Sequence, residues 1–156
     1  MTQRIDLADT RDRMAVDRLV TDYAVAVDDG DWAGYLALFA PGGRADYRSA
    51  GGVEGDAAAV ADWLAEALGP FPVRQHLVVN RRVRLGEWAR DVGDTAEADA
   101  DYVSPLVPGG RGVTGPEVVS GGRCSFALLR TAQGWRLTRV VVREKWRRLG
   151  GASTPM

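Results

Sequence analysis

Two kinds of hydrophobic periodicity divide the chain near Pro72. Before that residue, apolar side chains recur every three or four positions, which is typical of amphipathic helices. Gly30 and the Gly69-Pro70 pair are placed to end helices, and Asp31 and Asp56 are placed as N-caps. The pattern predicts three helices, over residues 11–29, Trp32 to Phe39 (closed by the turn signals of Ala40 to Gly43) and Ala57 to Leu68.

After Pro72 the apolar residues alternate with polar ones, which is the period of half-buried strands. Turn signals separate the segments at Asp91 to Asp94, at Pro108 to Gly110 and at Gln133-Gly134. Helices followed by a run of long strands predict an α+β domain, with three N-terminal helices packed in a curved antiparallel sheet. The predicted strands are a short one at Arg44–Arg48 and long ones at Val73–Leu85, Thr95–Leu106, Val118–Thr131 and Trp135–Trp146.

The length and charge of the chain limit its domain count and the classes of partner that it can bind. The 156 residues suit one domain, expected over 1–149, with a flexible tail at 150–156. Lys and Arg number 20 against 21 Asp and Glu, so there is no basic excess for nucleic acid or an anionic membrane. A hydrophobic small molecule or another protein is the expected partner.

Cysteine usage and the N-terminal pattern indicate a compartment. Cys124 is the only cysteine, which excludes an intrachain disulfide and suits a reducing cytoplasm. No secretory signal pattern or long apolar run is present, so we expect a cytoplasmic protein. Lys145 is the only lysine among the basic residues, which suggests a GC-rich bacterial genome. We expect no metal site and no cofactor, because no ligand spacing surrounds the single histidine.

That histidine is His76, and it is the one place for histidine-based proton transfer. In the predicted strand, His76, Val78 and Asn80 share one face, which points either into the core or into a pocket. The residue type alone leaves a structural and a functional role equally open.

Three further polar residues stand at informative places. Asp28 lies in the last turn of the first helix, where a carboxylate faces the negative end of the helix dipole at a cost of up to about 1 kcal/mol. The sequence therefore leaves open a role for Asp28 other than helix stability, whereas Asp29 is interpreted as a solvated residue at the helix end. Tyr23 lies on the apolar stripe of the helix, and Tyr47 alternates with Ala45 on a strand; each tyrosine alone favours a core role.

The second long strand has two contrasting faces. Glu97, Asp99 and Asp101 form the face expected to be wet. The opposite face carries small residues and ends in Tyr102 and Ser104. Its alanines either leave space for a ligand or let a helix pack closely, and the sequence leaves both open. Cys124 is interpreted as a residue packed within a strand.

Several motifs in a fixed order resemble the SnoaL-like branch of the nuclear-transport-factor-2-like superfamily, from about Asp9 to Arg148. This resemblance implies a cone-shaped α+β barrel with an apolar pocket at one end and a homodimer or higher homo-oligomer formed through the sheet. The motifs are Tyr23 to Trp32, Leu38 to Pro41, Asp46-Tyr47, His76 to Asn80, Gly93 to Ala96, Gly121 to Arg123 and Gly134 to Arg136.

Within that branch the chain is most similar to scytalone-dehydratase-like and bile-acid-dehydratase-like enzymes. The match implies catalytic roles for Tyr23, Asp28, Tyr47 and His76. It implies a cofactor-independent dehydratase or isomerase acting on a hydrophobic cyclic carbonyl compound, of polyketide or steroid type, in natural product biosynthesis. Trp32, Trp63, Asn80, Tyr102 and Ser104 are the expected substrate-binding residues.

In this scheme His76, held by Asp28, removes a proton next to the carbonyl, and the tyrosines donate hydrogen bonds to the oxygen that gains charge. Two alternatives remain open at the level of sequence. One is a polyketide cyclase or epoxide-opening enzyme with Asp28 as the base. The other is a non-catalytic carrier or a partner subunit of the same fold.

Overall fold

The computed structural model of the protein describes the backbone of residues 2–150 and the side chains of residues 7–150. Three α-helices precede most of the strands: α1 (Thr2–Asp29), α2 (Trp32–Ala37) and α3 (Ala57–Leu68), with a short 3₁₀ helix at Arg48–Ala50. The strands are β1 (Phe39–Asp46), β2 (Glu54–Asp56), β3 (Val73–Arg74), β4 (Leu77–Leu85), β5 (Thr95–Val107), β6 (Val118–Thr131) and β7 (Gly134–Leu149).

The strands form one strongly curled sheet in the order β2-β1-β7-β6-β5-β3, with β4 also paired to β5. This half-barrel with three helices confirms the predicted α+β class. One pairing is parallel, between β1 and β7, so the sheet is mixed rather than antiparallel throughout as the sequence predicted. The parallel pair brings Ala45 beside Val140.

Local signals set most helix ends. Gly30 adopts a φ of 64° after α1, a conformation that costs glycine little. The Asp31 carboxylate accepts a hydrogen bond from the Gly34 N–H, and the Asp56 carboxylate accepts one from the Ala59 N–H, as predicted for N-caps. The first helix begins at Thr2, earlier than the predicted residue 11.

The predicted end of the second helix was wrong. α2 stops at Ala37, and Phe39 already begins β1, so the segment from Ala40 to Gly43 lies within a strand. The pairing of β1 with β7 is irregular between Phe39 and Arg44, and Gly42 adopts a φ of 76° there. A bulge needs the same residue types as a turn, which explains the misreading.

The predicted strand Val73–Leu85 is interrupted. Its two parts, β3 and β4, leave Gln75 and His76 outside the strands. A second irregularity follows at Asn80, which has a φ of 51° beside a register shift between Val79 and Arg82. The expected common face of His76, Val78 and Asn80 is therefore broken.

The core lies between α1 and the inner face of the sheet. Ala96, Ala98 and Ala100 on β5 are buried within it, and none of them lines the cavity described below. Their small side chains let the helix pack closely, which answers the question left open by the sequence. The largest fully buried side chains in this core are Tyr35, Leu137, Val16, Val20, Val60 and Val140.

Two features concern the ends and surface of the molecule. Gly150 donates a backbone hydrogen bond to the Glu117 carbonyl, while residues 151–156 of the predicted tail lie outside the described residues. None of the described helices combines the length and apolar character needed to cross a bilayer.

Candidate active site

A cavity of about 430 Å³ lies between α1, α3, the 3₁₀ helix and the inner face of β5, β6 and β7. This volume falls within the range of small-molecule sites. The residues that line it include the predicted site residues Tyr23, Tyr47, Trp63, His76, Tyr102 and Ser104.

The Asp28 carboxylate is bound by His76 through two hydrogen bonds. The His76 backbone N–H donates to Asp28 Oδ2 at 2.7 Å, and Nδ1 lies 2.5 Å from Oδ1. A carboxylate only accepts, so the proton of a neutral imidazole sits on Nδ1 and Nε2 carries the free lone pair. Both side chains are largely buried, with 15% of the Asp28 side chain and 23% of the His76 side chain exposed.

This geometry accounts for the break between β3 and β4. The His76 N–H points to the end of α1 rather than to a neighbouring strand, so the chain leaves the sheet there. The imidazole is then fixed at both its backbone and its ring.

Arg74 supports the same helix end. Its Nε donates to the Asp28 carbonyl at 3.2 Å, and its Nη1 donates to the Leu68 carbonyl at 3.5 Å. One guanidinium thereby contacts the C-terminal ends of α1 and α3, both of which carry partial negative charge. This cation offsets the unfavourable position of the Asp28 carboxylate.

The tyrosines provide neutral hydroxyl donors around the cavity. The Tyr23 hydroxyl is buried and has no hydrogen-bond partner among the described residues. Burial, with the nearby Cys124 and Tyr102, raises the pKa of Tyr47 well above its usual value. Burial raises the pKa of Tyr102 as well, and its ring centroid lies 6.3 Å from that of His76. The Tyr47 and Tyr102 hydroxyls therefore keep their protons at neutral pH.

Two predicted substrate-binding residues lie away from the cavity lining. Trp32 packs edge-on against Tyr35, with ring centroids 6.0 Å apart. The Asn80 side chain donates to Asp101 Oδ2 at 3.0 Å, on the outer face of the sheet, because the irregular backbone at Asn80 turns it over. Trp63, in contrast, lines the cavity and packs against Tyr47.

Three lining residues with polar or ionisable side chains were missing from the sequence prediction of the site: Ser120, Cys124 and Arg147. Alternation along β6 would have placed Ser120 and Cys124 on one face, but only the strand register brings them beside β5. Burial raises the pKa of the Cys124 thiol to about 12, so the thiol is a poor nucleophile at neutral pH. Within the described residues, no three His, Cys, Asp or Glu side chains are grouped as a metal site would require.

Comparison with known sequences gives a consistent picture. The sequence model of a family described as "SnoaL-like domain" matches residues 8–141. An uncharacterised protein of Mycobacterium tuberculosis and one of Mycobacterium bovis are each 31% identical to this chain over 137 residues, covering 88% of both partners.

Solved structures share the fold. A candidate scytalone dehydratase from Novosphingobium aromaticivorans superposes with a TM-score of 0.71 at 14% identity and covers 100% of both chains. A type 2 hexachlorocyclohexane dehydrochlorinase, LinA, gives 0.69 at 16% identity, covering 97% of this chain and 96% of its own. A candidate aromatic ring hydroxylase from N. aromaticivorans gives 0.70 at 22% identity, covering 88% and 91%.

Proposed function

Because the chain belongs to the SnoaL-like domain family, within the NTF2-like superfamily, we propose that its cavity is the active site of a cofactor-independent dehydratase or isomerase. The substrate is a hydrophobic cyclic compound with a carbonyl group. The observation that carries this proposal is the contact between Asp28 and His76, of which His76 lines the cavity, with Nε2 as the available base. Two of the structural neighbours, the dehydratase and the dehydrochlorinase, are named for elimination reactions, which agrees with this proposal.

The reaction begins with removal of a proton from the carbon next to the carbonyl. Nε2 of His76 takes the proton, and the electron pair of the C–H bond moves toward the carbonyl oxygen. Asp28 stabilises the resulting imidazolium, and a general base of this kind contributes about 10²–10⁴-fold. Tyr23 and Tyr47 donate hydrogen bonds to the oxygen that gains charge.

Two outcomes follow from the enolate. In dehydration, its electron pair forms a carbon–carbon double bond as the hydroxyl on the next carbon leaves, taking the proton from the imidazolium to depart as water. In isomerisation, the imidazolium returns the proton to a different carbon. Both routes restore the neutral histidine and consume no other reactant.

The alternatives find less support. Asp28 as the base of a cyclase or epoxide-opening enzyme would need to face the substrate, whereas its two oxygens accept hydrogen bonds from His76 and Asp28 is not among the residues that line the cavity. A carrier or partner subunit has no need of the Asp28–His76 pair. The open cavity beside that pair favours the enzyme.

The test uses cyclic β-hydroxy ketones as probes, beginning with 3-hydroxy-1-tetralone, whose loss of water gives fluorescent 1-naphthol after tautomerisation. The wild type should release 1-naphthol, and His76→Ala and Asp28→Asn should each lower turnover by about 10²-fold or more. Asp29→Asn is the matched control, because Asp29 is the exposed neighbour of Asp28. Full activity in both variants, with correct folding, would make the pair structural.

A further inference from the structure

A polar row crosses the inner face of the sheet at one end of the cavity. Ser104 on β5 is paired with Ser120 on β6, and Ser120 is paired with Arg147 on β7. All three side chains line the cavity. Neighbouring strands lie about 4.8 Å apart, so the row spans about 10 Å between the outer two backbones.

The chemistry of this row differs from that of the remaining lining. Arg147 is the one side chain with a permanent charge among the described residues that line the cavity. The walls on either side of the row are apolar. They include Leu64, Leu68, Phe71, Leu106 and Val118.

The Arg147 side chain is fixed by two hydrogen bonds, which occupy only part of its N–H donors. Its Nε donates to Glu144 Oε1 at 2.7 Å, and one Nη2 proton goes to the Ala50 carbonyl at 3.0 Å. A guanidinium has five N–H donors, so three remain without a partner among the described residues. The Arg147 side chain is 44% exposed, whereas Glu144 is 13% exposed, so the cation is the more accessible partner of the pair.

The row also lies close along β5 to Tyr102, the neighbour of the proposed base. Ser104 follows Tyr102 by two positions on the same face of β5, which is about 7 Å along the strand. The Tyr102 ring lies beside the His76 ring. A two-ring skeleton placed against His76 therefore reaches the row with a substituent on its far ring.

We propose that Ser104, Ser120 and Arg147 bind a carboxylate on the substrate, so that the substrate is a cyclic carbonyl compound with an acidic group at the end away from the reacting carbon. The Arg147 fork donates to the carboxylate oxygens, and the serine hydroxyls donate from the neighbouring strands. The position of the reacting carbon rests on the proposed function, but carboxylate binding does not.

Calorimetric titration with two matched probes tests the carboxylate site. 2-Naphthoate and its methyl ester share the ring system and differ in charge. The wild type should bind 2-naphthoate about tenfold or more tightly than the ester, because charge-assisted hydrogen bonds form only with the acid. Arg147→Gln should abolish that preference. Arg147→Lys should retain part of it, since the charge remains and the planar fork is lost.

Arg148→Gln is the matched control. Arg148 is the next residue on β7, carries the same charge, is exposed and points to the other face. This variant should keep the full preference for the acid. If Arg147→Gln loosened the 3₁₀ helix, the affinities for both probes would fall equally. The ratio of the two affinities therefore isolates the carboxylate contact.

The same titration in His76→Ala separates this proposal from the catalytic one. The preference for 2-naphthoate should persist there, whatever happens to turnover. Equal affinities for acid and ester in the wild type, no binding of either probe, or a preserved preference in Arg147→Gln would each overturn the carboxylate site. A requirement for His76 in turnover of the tetralone would stand independently of those results.

Discussion

Asp28 accepts both the backbone N–H and the ring Nδ1–H of His76, at 2.7 and 2.5 Å, so one carboxylate fixes the position and the tautomer of the single histidine. The contact joins the end of α1 to the break between β3 and β4. The Asp28 carboxylate is unfavourable at the C-terminal end of α1, yet it positions the proposed catalytic histidine. The Arg74 guanidinium, which donates to the Asp28 carbonyl, offsets this unfavourable placement.

The pair should behave as one catalytic unit. The double variant Asp28→Asn/His76→Ala should be little slower than the poorer single variant, because each single change already disables proton transfer. Turnover of 3-hydroxy-1-tetralone by all four proteins gives the comparison. Multiplicative losses would show that the two residues act independently.

Acidification should lower kcat/KM. His76 accepts a proton only in its neutral form, and histidine is the side chain that ordinarily changes charge between pH 5 and 8. The measurement is kcat/KM across that interval, with circular dichroism at each pH to verify folding. A profile that stays level while the fold persists would remove His76 as the titrating base.

Loss of the Arg74 side chain should affect stability and activity together. Arg74→Ala removes two hydrogen bonds to helix-end carbonyls, and we expect a decrease of about 1–2 kcal/mol in the free energy of unfolding. Displacement of Asp28 should also lower kcat. Urea denaturation checks the first effect, with Arg18→Ala on the exposed face of α1 as the control. Unchanged stability in Arg74→Ala would contradict a stabilising role for the Arg74 hydrogen bonds to the two helix ends.

Cys124 should resist alkylation in the folded protein. Burial raises the pKa of its thiol to about 12, so little thiolate exists at pH 8. We expect iodoacetamide to react on the order of 10²-fold or more slowly than in the urea-unfolded chain, as followed by mass spectrometry. Equal rates in the two states would mean that the thiol is accessible and ionised.

Asp46 should stabilise the fold at neutral pH and not in strong acid. Hydrogen bonds from Arg48 lower the pKa of Asp46 to about 2, whereas an unfolded aspartate titrates near about 3.9. The contribution is therefore complete above the unfolded value and disappears as the pH falls through the folded one. Asp46→Asn should lower stability at pH 7 and make a much smaller difference near pH 2.

Urea midpoints at several pH values measure this effect. Asp62→Asn is a suitable control, because Asp62 is an exposed carboxylate on α3. A loss of stability in Asp46→Asn that is the same at both pH extremes would assign it to packing rather than to charge.

Local signals were sufficient for much of the fold. The N-caps Asp31 and Asp56 and the terminator Gly30 act through neighbours within four residues, so their positions follow from sequence alone. The long strands β5 to β7 follow equally well from strict alternation. Errors arose where a distant contact decides the backbone, as at the bulge of β1, which depends on its pairing with β7.

The predictions for the candidate site show the same difference between local signals and distant contacts. Resemblance to dehydratases brought Asp28 and His76 together, and the structure places them in contact. Asn80 was misplaced because the irregular backbone that turns it outward has no local signal. Arg147 was absent from the predicted site because its place beside Ser120 depends on the strand register, which no single segment encodes.

The parallel pairing of β1 with β7 has a consequence for how the protein is made. A ribosome releases β1 early, whereas β7, the strand that pairs with it, is synthesised after all the other described strands. Until then the growing chain holds helices and strand edges without their final partners, which exposes it to aggregation. Contacts between such distant segments also slow folding. Removal of β7 should therefore leave an aggregating chain rather than a smaller folded domain.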